Sequence, residues 1–359
     1  MSTRRNVLAG LTGLAFCGCG LPRAAHAQAA PRKLPVVVQG KRVKTVDVHC
    51  HCIFRDAALL LGDHAPPEFT QVRESKNAYI VIEDRLAAMD AMAIDMEVLS
   101  INPFWYSADR DLAARVVKLQ NEKLAELVAT KPDRFAAFAS LTLQDPQLAV
   151  QELQTAMKQQ GLRGAAIGDV VAGAEFADPK FDPVWAKAEE LGAVLFIHPQ
   201  GIPELNDRLK GNGWLGNTVG NPLGTTIALQ HLIFQGTLDK FPGLKVIGAH
   251  GGGYLPSYAP RDDHACFVSP PGCDPSIKLK KQPTEYLNQL YFDALVFTPE
   301  ALRHLVAQVG ASQIMLGSDH PYIWEQHPVD HVFATTTLTD AQKSAILGGN
   351  AAKLFGFRA

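Results

Sequence analysis

Short apolar runs alternate with longer amphipathic stretches along most of the chain. Eight runs are rich in Val, Ile, Leu or Phe and lack clean alternation of apolar and polar positions, which is typical of parallel strands buried on both faces. They cover residues 43–49, 96–102, 135–143, 164–168, 193–198, 245–250, 289–296 and 313–319. Helical periodicity marks the segments between them, at 84–92, 110–130, 146–160, 183–191, 225–241, 299–309 and 341–355.

This alternation, repeated eight times, predicts an α/β fold of the (β/α)8 TIM-barrel type. A doubly wound open sheet is the alternative, but no glycine-rich phosphate loop follows the first run. Residues 53–82 do not fit the alternation. They predict a small insertion after strand one, in the form of a hairpin beside the barrel mouth.

The first 27 residues predict a twin-arginine signal peptide. Arg4 and Arg5 precede an apolar, glycine-dotted stretch, and Ala25-His26-Ala27 offers an A-x-A cleavage site. A buried N-terminal helix is disfavoured because four glycines interrupt the stretch, and a lipoprotein attachment at Cys17 or Cys19 lacks a good aliphatic lead-in. Residues 28–42 then read as a polar linker, and residues 43–359 as the barrel domain. The signal predicts export to the periplasm.

Composition and the pattern of apolar residues argue against a nucleic-acid partner and against a membrane span. The chain has 359 residues, 47% of them hydrophobic, and a formal net charge of −2. Because Lys and Arg do not cluster with interleaved aromatics, a nucleic-acid partner is not expected. No apolar run reaches the roughly 20 residues that span a bilayer, so no membrane span is expected.

Four cysteines would remain after cleavage of the signal. Cys266 and Cys273 could pair in an oxidising compartment. We favour two free thiols in a loop, because spacing in the sequence does not establish disulfide geometry.

Five side chains suited to metal or proton chemistry stand where predicted strands end. The first run ends in His49-Cys50-His51, whose histidines face the same way because alternate strand residues share a side. The fifth, sixth and eighth runs end in His198, His250 and Asp319. Barrel active sites lie at the C-terminal ends of the strands, so these residues predict one site at the mouth. Each alone would be a weak signal, whereas chance placement of all five at one end is improbable.

The same segments carry a resemblance to a known family. His49-Cys50-His51, the sequence FIHPQG around His198, AHGGGYLP around His250 and GSDHPY around Asp319 resemble the amidohydrolase superfamily, specifically its amidohydrolase-related branch and the aminocarboxymuconate-semialdehyde decarboxylases within it. The similarity runs from about residue 43 to the C-terminus. It includes Tyr291-Phe292-Asp293 and residues 178–185.

The resemblance implies a metal site. Its ligands would be His49, His51, His198 and Asp319, and His250 would transfer protons. No lysine ends the fourth run, where other amidohydrolases bridge two metals, so one metal per subunit is expected. Three imidazoles with one carboxylate suit zinc, although manganese or iron would accept the same ligands. His320, beside Asp319, is expected to support the ligands from behind.

The resemblance also implies residues that bind the substrate. Arg73 matches an arginine that binds substrate carboxylate, and Arg261 matches one that the family lends across a homodimer interface. An arginine fork suits carboxylate, but a surface salt bridge is the alternative reading for each arginine. Phe104 and Trp105, just beyond the second strand, could wall the substrate pocket or could pack within a loop.

The function expected is therefore metal-dependent decarboxylation of an unsaturated or aromatic carboxylic acid, with water at the metal and His250 as general acid and base. The same metal site also serves hydrolases of lactones and amides in this branch, and hydrolysis is the alternative. A catalytically silent binding protein is a third reading, which the full set of ligands and His250 disfavour.

Overall fold

The computed structural model describes residues 32–65 and 82–357. The predicted signal peptide and Arg73 lie outside these residues. Ten strands are described, and they are β1 (Val37–Val38), β2 (Lys41–Arg42), β3 (Val46–His51), β4 (Met96–Ser100), β5 (Phe135–Ala137), β6 (Gly164–Ile167), β7 (Val194–Ile197), β8 (Lys245–Gly248), β9 (Leu290–Asp293) and β10 (Ile314–Met315).

Helices separate the barrel strands. They are α1 (Arg55–Leu61), α2 (Ile82–Ala91), α3 (Arg110–Thr130), α4 (Pro146–Lys158), α5 (Asp182–Leu191), α6 (Asn221–Phe234), α7 (Thr237–Lys240), α8 (Leu255–Val268), α9 (Pro299–Val309), α10 (Pro328–Ala334), α11 (Asp340–Ser344) and α12 (Asn350–Phe355). No helix in this described part of the chain is both long and apolar enough to cross a membrane.

The eight strands β3 to β10 form the predicted TIM barrel. Parallel pairing joins β3, β4 and β5 in one group and β6 to β10 in the other. Two seams close the cylinder through isolated β-bridges. One joins Ala139 to Ala165, and the other joins Asp47 to Leu316 and Cys50 to His320. All eight sequence runs therefore correspond to barrel strands, as expected.

Local sequence sets the helix starts. Asp109 caps α3 by accepting hydrogen bonds from the amides of Asp111 and Leu112, and Thr298 caps α9 through the amide of Ala301. Pro299 occupies the first turn of α9, where a missing N–H costs nothing. Short polar side chains at such positions satisfy amides that have no partner within the helix. These two caps set the residues at which α3 and α9 begin.

Alternate strand residues fill the barrel interior beneath the mouth. Phe138 and Phe196 stack there with ring centroids 5.5 Å apart, and Phe355 of α12 meets Phe138. The Phe196 ring also meets His49 edge-on, at a centroid distance of 5.1 Å. The core thus supports the floor of the site directly.

Two sequence expectations about irregular segments are wrong. Part of the predicted linker is the hairpin of β1 and β2, which buries Val36 and Val38 against the core. The described start of the insertion contains the helix α1, and most of the segment expected to form a hairpin lies outside the described residues. Arg261, expected on an extended loop, lies within α8, because Pro256 sits in its first turn and the interior Pro260 does not end it.

Cys266 and Cys273 form a disulfide, so the favoured expectation of two free loop thiols is wrong. Cys266 belongs to the last turns of α8, and the chain turns back through Pro270–Gly272 to bring Cys273 close. Their Cα atoms are 5.7 Å apart, within the range that a disulfide spans. Cys50 and Cys52 are buried free thiols in and just beyond β3.

Candidate active site

Four side chains that could hold a metal ion converge at the mouth of the barrel. His49 and His51 come from β3, His198 follows β7 and Asp319 follows β10. One ligand atom from each lies within 4.8 Å of the others, and all four residues are buried. We call this group the metal cage. The structure thus brings together the set that the sequence predicted.

Hydrogen bonds orient the two β3 histidines. His49 donates from Nδ1 to Asp293 at 2.7 Å. The Ser100 hydroxyl donates to the Cys50 carbonyl, so His51 donates from Nδ1 to the Ser100 oxygen at 3.0 Å. Both rings therefore turn Nε2 into the metal cage, at 3.2 Å and 2.8 Å from Asp319 Oδ1. Such outer partners fix the tautomer that a metal ligand needs.

Several polar atoms of the metal cage are buried and make no hydrogen bond, because with the protons on Nδ1 the Nε2 atoms and the nearby Asp319 oxygen are all acceptors. They are Nε2 of His49 and His51, both ring nitrogens of His198, and Oδ1 of Asp319. Buried polar atoms left unpaired are costly, so their convergence fits a ligand that would satisfy them all. Three imidazoles and a carboxylate are a donor set for a divalent transition metal. The residues present therefore fit the metal that the sequence predicted.

Charge within the metal cage follows from burial and the carboxylates. Burial would lower the pKa of His49, but Asp319 and Asp293 outweigh it and raise this pKa to about 10. Burial lowers the pKa of His51, and burial together with the neighbouring histidines holds that of His198 well below its usual value. His51 and His198 are thus neutral. On His49, a metal would have to displace the proton that the two carboxylates stabilise.

His250 lies beside the metal cage in a tight glycine-rich turn. Its ring centroid is 5.1 Å from that of His49 and 5.3 Å from that of His198, and its Nδ1 has no partner in the structure. Burial, followed by the charge of His49, lowers its pKa to about 4. Gly253 has φ of 65°, and a Cβ there would lie 2.0 Å from the Pro222 carbonyl oxygen. Glycine allows the turn that keeps His250 at the cavity floor.

Asp293, at the end of β9, joins the metal cage to the His250 turn. Besides His49, its carboxylate accepts hydrogen bonds from the amides of His250 and Gly251, both at 2.9 Å. Burial opposes ionisation of Asp293, yet the charge and hydrogen bond of His49 lower its pKa overall. Sequence reasoning noted Tyr291-Phe292-Asp293 only as similar connecting text. An acid at a strand's C-terminal end was the available signal.

We expect Asp293→Asn to weaken metal binding by about 10–100-fold, because an amide lacks the charge that fixes His49 and cannot accept at both positions. Competition against a chelator of known affinity would measure the change. Asp111→Asn, at an 83% exposed side chain on α3, is the matched control and should bind metal normally. Unchanged metal affinity in Asp293→Asn would contradict the role given to Asp293.

A buried ionic network contacts the backbone of the metal cage. Glu97 of β4 accepts from Arg85 at 2.5 Å and pairs with His320 Nδ1 at 2.7 Å, and Arg85 also donates to the His51 carbonyl. Burial opposes ionisation of Glu97, but Arg85 outweighs it and lowers the pKa. His320 thus has the supporting position expected for it. The sequence did not lead us to Glu97 and Arg85. For Glu97, its charge within the apolar run 96–102 was an available signal.

A cavity of about 360 Å³ opens over His250 and Asp319. The residues that line it are Asn217, Thr218, Pro222, His250, Gly253, Tyr254, Leu295, Val296, Phe297, Asp319 and Trp324. Its volume lies at the lower end of the range for small-molecule sites. The walls are largely apolar, so the cavity suits a ligand with an apolar body and a polar group at the floor.

Two expected pocket residues lie elsewhere. Trp105 is fully buried and donates its indole N–H to the Leu141 carbonyl at 2.8 Å, because the 3₁₀ turn Phe104–Ser107 rotates it into the core. Phe104 packs against the small cluster of Ile53 and Ala58. The alternative of loop packing therefore holds for both. Arg261 is exposed on α8.

Comparisons with known proteins agree on one family. A family model described as amidohydrolase matches residues 46–357. The 2-amino-3-carboxymuconate-6-semialdehyde decarboxylase of Dictyostelium discoideum is 33% identical over 275 residues, covering 76% of each chain. The gamma-resorcylate decarboxylase of Rhizobium radiobacter is 32% identical over 297 residues, covering 79% of this chain and 90% of the relative.

A solved structure resembles the barrel closely. The dihydroxybenzoic acid decarboxylase of Polaromonas sp. JS666, with bound manganese and the inhibitor 2-nitroresorcinol, superposes with a TM-score of 0.75. It is 26% identical, and the match covers 88% of this chain and 98% of that one.

Proposed function

We propose that this chain catalyses metal-dependent decarboxylation of an aromatic carboxylic acid. The chain belongs to the amidohydrolase family and is an enzyme. The observation that carries the proposal is the metal cage of His49, His51, His198 and Asp319, with His250 beside it at the floor of an apolar cavity. The decarboxylase relatives support this reaction over hydrolysis of a lactone or amide.

The metal cage would hold one divalent ion per subunit, and we propose zinc. Three imidazoles with a single carboxylate favour zinc, while the manganese in the Polaromonas enzyme makes manganese the alternative. When bound, the ion would act as a Lewis acid that polarises oxygen atoms of the substrate. Elemental analysis of gently purified protein identifies which of the two metals is bound.

His250 would move the proton that decarboxylation requires. Its low pKa keeps the imidazole neutral near pH 7, so it can accept a proton supplied by solvent and deliver that proton to the ring carbon. Protonation of that carbon precedes cleavage of its bond to the carboxylate, which leaves as CO2. The proton and the bonding electrons then both remain on the product. Arg73 would bind the substrate carboxylate through its guanidinium fork.

The decisive experiment measures CO2 release from a panel of carboxylic acids by metal-loaded protein. We expect release from a hydroxybenzoate such as 2,6-dihydroxybenzoate, with the decarboxylated phenol as the second product. A parallel panel of lactones and amides serves as the control. Turnover of a lactone or amide without CO2 from any acid would overturn decarboxylation in favour of hydrolysis.

We further propose that the active unit is a homodimer in which Arg261 reaches the partner's site. Tyr258, Arg261 and Val268 are spaced to share one face of α8, and Tyr258 and Val268 are 64% and 75% exposed. Apolar side chains exposed together often mark an interface. The helix begins five residues after His250, so its first two turns, which carry Tyr258 and Arg261, start from the mouth.

Mixing two inactive variants tests this arrangement. Refolding His250→Ala and Arg261→Ala together in equal amounts should make half the dimers mixed. One site of each mixed dimer would then contain both intact residues, so about a quarter of wild-type activity should return. Each variant refolded alone is the control. A mixture that stays inactive, or a fully active monomer, would contradict the shared site.

Export by the twin-arginine route to the periplasm is also proposed. The Cys266–Cys273 disulfide supports an oxidising destination. Replacing Arg4 and Arg5 with Lys should trap the precursor in the cytoplasm, measured by fractionation and immunoblotting. A control replaces Lys33, outside the signal, with Arg. Equal export of the two variants would contradict this route.

A further inference from the structure

Three aromatic side chains meet at the rim of the cavity. The indoles of Trp214 and Trp324 stack with centroids 5.5 Å apart and planes 12° apart, and Phe297 meets Trp324 at 6.2 Å. We call these three residues the aromatic clasp. They come from three different loops, after β7, β9 and β10, and the clasp therefore connects loops that the barrel would otherwise leave separate.

The aromatic clasp is unfavourable as a structural feature alone. Trp214 is 62% exposed, Phe297 is 50% exposed and Trp324 is 36% exposed, so much apolar area remains in water. Trp214 and Phe297 also have φ of 51° and 64°, a left-handed conformation that bulky residues rarely adopt. Strained backbone of this kind concentrates at functional sites, and His250 and Asp319 share it, with φ of 56° and 65°.

The aromatic clasp is built onto the reaction site on one side through Trp324. This residue follows Asp319 by five positions, and both line the cavity. Asp319 at the floor is only 4% exposed, whereas the clasp is half open to solvent. The cavity thus runs from a buried polar floor to an exposed aromatic rim.

Trp214 is fixed on the other side by a single π-helical turn, Gly216–Gly220. Its carbonyl accepts from the amides of Asn217 and Thr218, at 2.9 Å and 3.0 Å, and the Thr218 hydroxyl lies 3.3 Å from the same oxygen. Asn217 and Thr218 themselves line the cavity. The turn therefore couples the position of Trp214 to the cavity wall.

We propose that the aromatic clasp binds the part of the substrate distal to the reacting carboxylate, and that it selects carboxylic acids with a second ring over monocyclic ones. This inference rests on the proposed decarboxylase function, because it places the carboxylated ring at the floor. A second ring fused to it would extend toward the rim and contact aromatic faces now open to water. Offset or edge-on contacts between rings supply the selectivity.

Two inert probes that differ by one fused ring test the proposal. 2-Nitrophenol is monocyclic, and 2-nitro-1-naphthol carries the same nitro and hydroxyl groups on a bicyclic frame. Isothermal titration calorimetry with manganese-loaded protein gives both dissociation constants without turnover. We expect wild type to bind the naphthol about tenfold more tightly than the phenol, which corresponds to one or two good ring contacts.

Three variants localise the effect. Trp324→Ala and Trp214→Ala should each lose most of the preference for the naphthol while the dissociation constant of 2-nitrophenol changes less than about twofold. Trp324→Phe keeps an aromatic face and should retain much of the preference. Val37→Ala removes a 44% exposed apolar side chain in the β1–β2 hairpin and is the control.

The outcomes separate the clasp from the reaction. Equal loss for both probes, no loss in either alanine variant, or no binding of either probe by wild type would overturn the aromatic clasp. If the naphthol preference disappears in both alanine variants but no acid releases CO2, the clasp stands and the decarboxylase proposal fails. If 2,6-dihydroxybenzoate releases CO2 and the alanine variants keep the naphthol preference, or lose affinity equally for both probes, the reverse holds.

Discussion

His250→Ala should lose activity by about 10²-fold or more while keeping its metal, because a positioned acid–base group contributes at least that factor. The four residues of the metal cage come together without His250, whose Nδ1 is left unpartnered in the cavity. Steady-state kinetics on the best acid of the panel measures the loss, and elemental analysis measures the metal.

His64→Ala is the matched control, since this histidine is exposed in the 3₁₀ turn Gly62–His64 after α1. It should keep both metal and activity. A His250→Ala protein that lost its metal together with its activity would show that His250 is a ligand and not a proton carrier. The wild-type pH profile adds a check, because protonating a group of pKa about 4 should depress activity only in acid.

His198→Ala should purify with almost no metal, whereas wild type should carry close to one ion per chain. Both ring nitrogens of His198 are buried and unpartnered, so neither makes a hydrogen bond within the protein and both are available to a metal. Its removal leaves only three of the four ligands. Inductively coupled plasma mass spectrometry gives the stoichiometry, and circular dichroism verifies that the barrel has folded.

Two ions per wild-type chain would overturn the single-metal proposal, as would a normal metal content in His198→Ala. Zinc and manganese should be counted separately in each preparation. The same His64→Ala protein controls for the loss of one imidazole from the surface.

The barrel was predictable because buried parallel strands and amphipathic helices have different periodicities, and eight repeats leave few alternatives. Helices α3 and α9 have the predicted bounds, since Asp109 and Thr298 cap their first turns. The metal cage was predictable for a related reason. Strand ends meet at one edge of the barrel, so ligands 270 residues apart can be placed together without knowing their contacts.

The rest depended on tertiary contacts that have no local signature. The turn containing Trp105 could bury or expose the indole, and only its bond to Leu141 decides. Cys266 and Cys273 pair because α8 ends beside a tight turn, which spacing alone does not reveal. Asp293 gained its importance from donors on two distant segments, the His49 ring and the adjacent amides of His250 and Gly251, and no short motif encodes that combination.

The seam between the first and last barrel strands has a consequence for biogenesis. His49 and Asp319 sit on either side of it, where the Asp319 amide donates to the His49 carbonyl at 2.8 Å. Asp47 accepts from Ser318, 271 positions later. A nascent chain still on the ribosome lacks the final strand, and so can neither close the cylinder nor assemble the four ligands. Binding of a metal by all four ligands would therefore have to follow synthesis of nearly the whole polypeptide.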